Sequence, residues 1–128
     1  MRKIILTNEN VLIELLDDIV IMTWKTDLTN LEFVKKMVDL RLEITPEKDY
    51  LFVINSKKVK NFSKEVRDFL AGKKAAERVI AAAIVIDSMV TATLANFFLR
   101  VSKPEVITRL FSNEEDAISW LKTIDVDK

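Results

Sequence analysis

The chain has 128 residues and a globular composition, with 49% hydrophobic and 31% charged residues. Its 20 basic and 20 acidic residues give a formal net charge of zero, so the overall charge does not favour nucleic acid as a partner. The absence of cysteine and histidine excludes disulfides and catalysis by Ser-His-Asp or Cys-His groups. We therefore expect a single domain over residues 1–128 that is not an enzyme and has no cofactor or metal site, with metal binding by carboxylates alone as the alternative.

No part of the sequence has the pattern of a targeting or membrane-spanning segment. The apolar run at residues 4–6 is too short for an export signal, because Asn8, Glu9 and Asn10 follow it closely. A transmembrane helix needs about 20 mostly apolar residues. We expect a cytoplasmic protein without integral membrane association.

The first part of the chain predicts antiparallel strands. Residues 11–16 and 19–24 are rich in β-forming side chains, and the dipeptide Asp17-Asp18 between them fits a two-residue hairpin. The apolar residues 4–6 predict a short strand before this hairpin.

Helical and strand patterns alternate along the rest of the chain. Thr29 with Glu32, and Ser112 with Glu115, have the spacing of capping boxes, which predicts that Thr29 and Ser112 are helix N-caps. Two further helices are predicted, one from Ser63 to the chain's single glycine, Gly72, and one over residues 88–100.

Three short apolar runs predict strands at residues 50–54, 79–86 and 106–111. The second run is uncharged throughout, which is typical of a central strand that is covered on both faces. Alternating strands and helices favour parallel pairing. The predicted fold is therefore a mixed α/β sheet of four to six strands, with an N-terminal antiparallel hairpin followed by alternating helices and strands.

Four local runs, at residues 62–69, 82–88, 96–98 and 109–121, together with this order of elements, resemble a known family. The resemblance is to the SpoIIAA-like fold of anti-sigma-factor antagonists and STAS domains, and most closely to short, stand-alone bacterial STAS-like proteins. It implies a non-catalytic regulatory or protein-interaction module. Fold analogy does not by itself establish function.

The same resemblance implies a phosphorylation site at Ser63. STAS regulators carry a phosphorylated Ser or Thr at the start of the helix after a central strand, and Ser63 falls at that position. The usual Asp before it is replaced by Asn61, and the usual glycine after it by Lys64. Lys60, Lys64 and Arg67 would face an anion or an acidic partner there. The alternatives are a helix cap at Ser63 and a solvated basic helical face.

The predicted helix at residues 88–100 is unusually apolar. One face must pack on the sheet, and the excess of apolar residues predicts a second contact with a partner protein, a second copy in a homodimer or a lipid. Packing within the core is the alternative. The candidate interface residues are Met89, Leu94, Phe98 and Leu99.

An alternative function follows from this apolar helix together with several aromatic residues elsewhere in the chain. The chain could carry or sense a small apolar or lipid-like ligand, because several aromatic residues are expected near a pocket. These residues are Phe33, Phe52, Phe69, Trp24 and Trp120.

Overall fold

The computed structural model of the chain describes residues 2–45, 48–70, 72–87 and 106–124. Its strands are β1 (Lys3–Thr7), β2 (Val11–Leu16), β3 (Ile19–Trp24), β4 (Tyr50–Asn55), β5 (Val79–Val85) and β6 (Ile107–Phe111). The helices of the described residues are α1 (Leu31–Ile44), α2 (Lys64–Leu70), α3 (Lys73–Ala76) and α4 (Glu114–Leu121). The six strands form one sheet in chain order, β1-β2-β3-β4-β5-β6.

The first three strands form the predicted antiparallel meander. In the hairpin between β2 and β3, Leu16 pairs with Ile19 around the dipeptide Asp17-Asp18. Asp17 has a φ of 54°, in the left-handed region that two-residue hairpin turns require of at least one residue. The predicted hairpin is therefore confirmed, and the turn is made without glycine.

Strands β3 to β6 are all parallel to one another. Parallel strands added in one direction place their right-handed crossovers on the same face of the sheet. Helices α1 and α2 accordingly pack on one face, here called the α1 face. Helix α4 follows β6 and packs mainly against β5 on the opposite face, here called the α4 face.

The core is divided between these two faces. On the α1 face, Val20 and Phe52 from the sheet pack with Val34 and Val66 from the helices. On the α4 face, residues such as Val53 of β4 pack under Ala117 and Leu121. Strands β3 and β4 are buried on both faces, and β5 is buried from Ala81 to Val85, which confirms the prediction of a covered central strand.

The two predicted N-caps are wrong by one residue. The side chain of Asn30, not that of Thr29, accepts a hydrogen bond from the Phe33 amide at 3.1 Å. The side chain of Asn113, not that of Ser112, accepts from the Asp116 amide at 2.8 Å. An asparagine side chain caps as well as Ser or Thr does, so a neighbouring Thr or Ser does not settle which residue is the cap.

The helix that follows Ser63 is confirmed and ends at Leu70, two residues before Gly72, but Gly72 does not have the conformation expected of a closing glycine. The Ser63 hydroxyl accepts from the Val66 amide at 3.2 Å, as a helix cap does. Gly72 has a φ of −89°, so it is not the left-handed residue that often closes a helix, and it is instead the N-cap of α3. A Cβ at Gly72 would lie 3.2 Å from the carbonyl oxygen of Phe69, which favours glycine by close approach.

The predicted helix at residues 88–100 lies outside the described residues. Within the described ranges, no helix combines the length and the apolar character needed to cross a bilayer. The predicted last strand and last helix are both confirmed, as β6 and α4.

The Asn30 cap provides a test of the start of α1. We expect Asn30→Ala to lower the free energy of unfolding by about 0.5–2 kcal/mol, because the Phe33 amide loses its partner. Thr29→Ala is the matched control and should match the parent in urea midpoint. Equal loss in both variants would contradict the assignment of the cap to Asn30.

Candidate functional site

A cavity of about 390 Å³ lies between the α1 face of the sheet and the helices that cover it. This volume is near the lower end of the roughly 300–1,000 Å³ typical of small-molecule sites. The sheet supplies an apolar floor from three adjacent strands, β3, β4 and β5. Its residues include Met22, Trp24, Phe52, Ile54, Ala82 and Ile84.

Small residues explain why this space is not filled. Ala82 stands on β5 where a larger side chain would reach toward the helices, and it is 7% exposed. Besides Lys73, the wall at α3 consists of Gly72, Ala75 and Ala76, none of which extends beyond a methyl group. Helices α2 and α3 are short, with seven and four residues, and Leu70 is the α2 residue that lines the cavity.

The charged residues that line the cavity are unbalanced. Among the described residues that line it, two carry a positive charge, Arg41 of α1 and Lys73 of α3, and none carries a carboxylate. Ser56 and Thr108 add two hydroxyl groups. The cavity therefore has mostly apolar walls together with two positively charged side chains. The amino-acid composition alone could not indicate this combination.

Arg41 is the most unusual of these residues, because its side chain is charged and only 4% exposed. Its Nη1 donates to the carbonyl oxygen of Glu77 at 2.9 Å, and its Nη2 donates to that of Ala75 at 3.0 Å. The guanidinium carbon lies 4.9 Å from the centre of the Phe52 ring, within the range of a cation–π contact. These contacts join α1 to α3 and to the turn that follows α3.

The surroundings of Arg41 disfavour its charge. Burial is the main reason that the pKa of Arg41 is lowered to about 10, and the nearby charge of Arg78 lowers it further, while Glu77 raises it. Arg41 nevertheless remains protonated at neutral pH. Glu77 is also within 3.9 Å of both Lys74 and Arg78, so its negative charge is shared among several cations.

The aromatic residues expected near a pocket are only partly brought together. Trp24 and Phe52 line the cavity. Phe33 packs edge-on against Trp24, with ring centres 6.3 Å apart, and does not line it. Trp120 lies on the α4 face, where its ring centre is 5.7 Å from that of Phe111. Phe69 belongs to the core beside α1 and α2.

Ser63 and the predicted basic residues lie at the start of α2. The Ser63 hydroxyl is occupied as the helix cap, and Lys64 pairs with Asp68 at 3.0 Å. Arg67 is half-buried and its amide bonds to the Ser63 carbonyl, whereas Lys60 is exposed in the preceding loop. The cap geometry accounts for Ser63, and phosphorylation at this residue stays a prediction.

Asp27 fixes the loop that precedes Ser63. Its carboxylate accepts from the amides of Lys60 and Asn61, at 2.8 and 3.2 Å, and from the Asn61 side chain at 2.8 Å. The Asn61 side chain is the main cause of a lowered pKa at Asp27, with the Lys60 amide second.

The candidate interface residues Met89, Leu94, Phe98 and Leu99 lie outside the described residues.

Glu114, which belongs to the acidic cluster at the start of α4, has a structural role. Its carboxylate accepts from the Arg2 guanidinium at 2.8 Å and from the Asn55 side chain at 2.7 Å. Burial raises the pKa of Glu114, but these two hydrogen bonds, with the charges of Arg2 and Lys57, outweigh burial and leave the pKa lowered.

Among the described residues, no group of three or more acidic side chains is arranged to hold a metal ion.

The sheet order, with one antiparallel meander followed by parallel strands, defines the class of fold. A solved structure that matches it is an uncharacterised protein of the DUF3478 family from Shewanella loihica PV-4, described as having a SpoIIAA-like fold. The match has a TM-score of 0.62 and covers 94% of this chain and 95% of that chain, at 16% sequence identity. Such a likeness shows the fold alone, and this chain has the predicted SpoIIAA-like fold.

The family is shown by sequence. A family model matches residues 13–125, and the chain belongs to that family, a domain of unknown function designated DUF7793. None of the curated proteins compared with the chain matches it.

The contacts of Glu114 predict a pH-dependent contribution to stability. A carboxyl whose pKa is lowered on folding stabilises above its unfolded value, and that stabilisation is lost as pH falls through the folded pKa. We expect Glu114→Gln to lower the free energy of unfolding by about 1–2 kcal/mol at pH 7, and the difference from the parent to shrink at an acid pH at which the Glu114 carboxyl is protonated. Urea titrations at both pH values measure this.

The exposed neighbour Glu115 provides the control, because Glu115→Gln removes the same charge from the same helix end. An equal effect of the two substitutions would assign the stability to the helix dipole rather than to the bonds with Arg2 and Asn55.

Proposed function

We propose that this protein is a non-catalytic binding module that holds a small apolar ligand in the cavity on the α1 face. The observation that supports the proposal is the cavity itself, about 390 Å³ in volume with an apolar floor formed by adjacent strands. A void of this size lined by large apolar side chains costs stability when it is empty, so a ligand that fills it is favoured. Carriage or sensing of that ligand then needs no reactive residue.

The cavity lining favours binding over chemistry. Its described polar side chains are those of Arg41, Lys73, Ser56 and Thr108, together with the indole nitrogen of Trp24. Without histidine, cysteine or a lining carboxylate, the described lining offers no general base of ordinary type. We therefore place the protein among carriers or sensors rather than among enzymes.

A regulatory or protein-interaction role remains a second proposal, supported by the SpoIIAA-like fold. In this view a protein partner, or a second copy of the chain, contacts the apolar residues near Phe98 and Leu99. We expect Leu99→Glu to shift a homodimer to monomer in light scattering. Ser119→Glu, at an exposed position of α4, should leave the mass unchanged. A parent protein that is monomeric at high concentration and captures no partner would contradict this second role.

The cavity is tested with a neutral apolar fluorophore, N-phenyl-1-naphthylamine, after removal of bound lipid under denaturing conditions and refolding. We expect its fluorescence to rise on binding to the parent protein. Ala82→Leu should weaken binding about tenfold or more, because the added side chain occupies the cavity. Ala75→Leu fills the same space from the α3 side.

Ser119→Leu is the matched control, since it adds the same side chain at an exposed position away from the cavity. It should bind the fluorophore like the parent, and thermal melts should show that all variants fold. Absence of binding to the parent, or unchanged binding by both cavity-filling variants, would overturn the proposed function.

A further inference from the structure

We propose that the ligand is an apolar chain with a carboxylate head, a medium-chain fatty acid, and that Arg41 binds the head group. This inference rests on the proposed function, since it specifies the ligand of the same cavity. The geometry that supports it is a buried guanidinium in the wall of an apolar space whose described lining holds no negative charge.

The hydrogen bonding of Arg41 within the described residues is incomplete. An arginine side chain has five N–H groups, and the hydrogen bonds within the described residues use two of them, both to backbone carbonyls. A carbonyl dipole offsets a full charge only in part. A buried cation in this state is stabilised strongly by an anion, because the Coulomb attraction grows as the local dielectric falls.

The described residues provide no carboxylate in contact with the Arg41 guanidinium. No carboxylate of the described residues lies within 4.0 Å of the Arg41 guanidinium, and the nearby Arg78 adds a further positive charge. Glu77 is the acidic residue that acts on Arg41, but it is exposed and is shared with Lys74 and Arg78. A ligand carboxylate would supply the missing charge in the planar geometry that a guanidinium binds best.

The rest of the cavity is mostly apolar. Apart from the two cations and two hydroxyl groups named above, its described walls are alkyl and aromatic groups such as Met22, Ile54 and Leu70. An inorganic anion would leave this apolar surface uncovered, and a plain hydrocarbon would leave Arg41 without an anion. A molecule with one charged end and an alkyl chain satisfies both, and the modest volume favours a medium rather than a long chain.

The test compares decanoate with decanol as competitors of bound N-phenyl-1-naphthylamine at pH 8. The two molecules share an alkyl chain and differ at the head group. We expect decanoate to displace the fluorophore from the parent at a concentration about tenfold or more below that of decanol. In Arg41→Met the two should become equal, whereas Arg41→Lys should keep part of the preference and Lys73→Met most of it.

Arg41 also joins α1 to α3, so Arg41→Met must first be shown to fold by thermal melting. A second measurement uses the parent protein and so does not depend on the folding of this variant. In it, ¹³C-carboxyl-labelled decanoate is titrated by NMR in complex with the protein. We expect the bound carboxyl to lose its proton at a lower pH than the free acid, because Arg41 favours the ionised form.

The outcomes separate the two proposals. If the fluorophore does not bind the parent, the proposed function fails. If it binds, but decanol competes as well as decanoate or the titration of bound decanoate matches that of the free acid, the cavity is a site for neutral ligands and the inference about Arg41 is overturned. A preference that persists unchanged in folded Arg41→Met overturns it as well.

Discussion

The rest of the structure depends on the side-by-side, parallel arrangement of β3, β4, β5 and β6 in chain order. Right-handed crossovers between strands added in one direction must lie on one face, so α1, α2 and α3 share the α1 face. Two of these helices are short, and α3 has a single turn. Among the described residues, the α4 face is covered by one helix, whereas the α1 face is covered by α1, α2 and α3. The cavity lies between these helices and the sheet.

Most of the fold could be predicted from the sequence because its signals are local. The hairpin at Asp17-Asp18 and the uncharged β5 are both marked by periodicity and by the absence of charge. The caps could not be placed to the residue, because Thr29 and Asn30 are adjacent and both are good caps. Which of the two is used depends on how the chain leaves β3, a tertiary feature without a local signature.

The candidate site was harder to predict, because Arg41 is a charged residue on the buried stripe of α1, where an apolar residue is expected. Arg41 follows Val34 by seven residues and Val38 by three, which places it on the buried stripe of α1. That spacing was a signal that could have identified Arg41, but a charge on a helix is usually solvated, so periodicity alone does not separate the two cases. The contacts that explain its burial, with the carbonyls of Ala75 and Glu77, come from a part of the chain more than thirty residues away.

The three consecutive alanines of β5 have opposite consequences on the two faces of the sheet. Ala81 and Ala83 allow Ala117 of α4 to approach closely, so small size there serves tight packing. Ala82 points the other way and leaves space beneath the helices. The side chain at position 82 can therefore change in volume without disturbing the neighbouring face. A single substitution on this strand would therefore reduce or close the cavity and leave the packing of α4 on the other face in place.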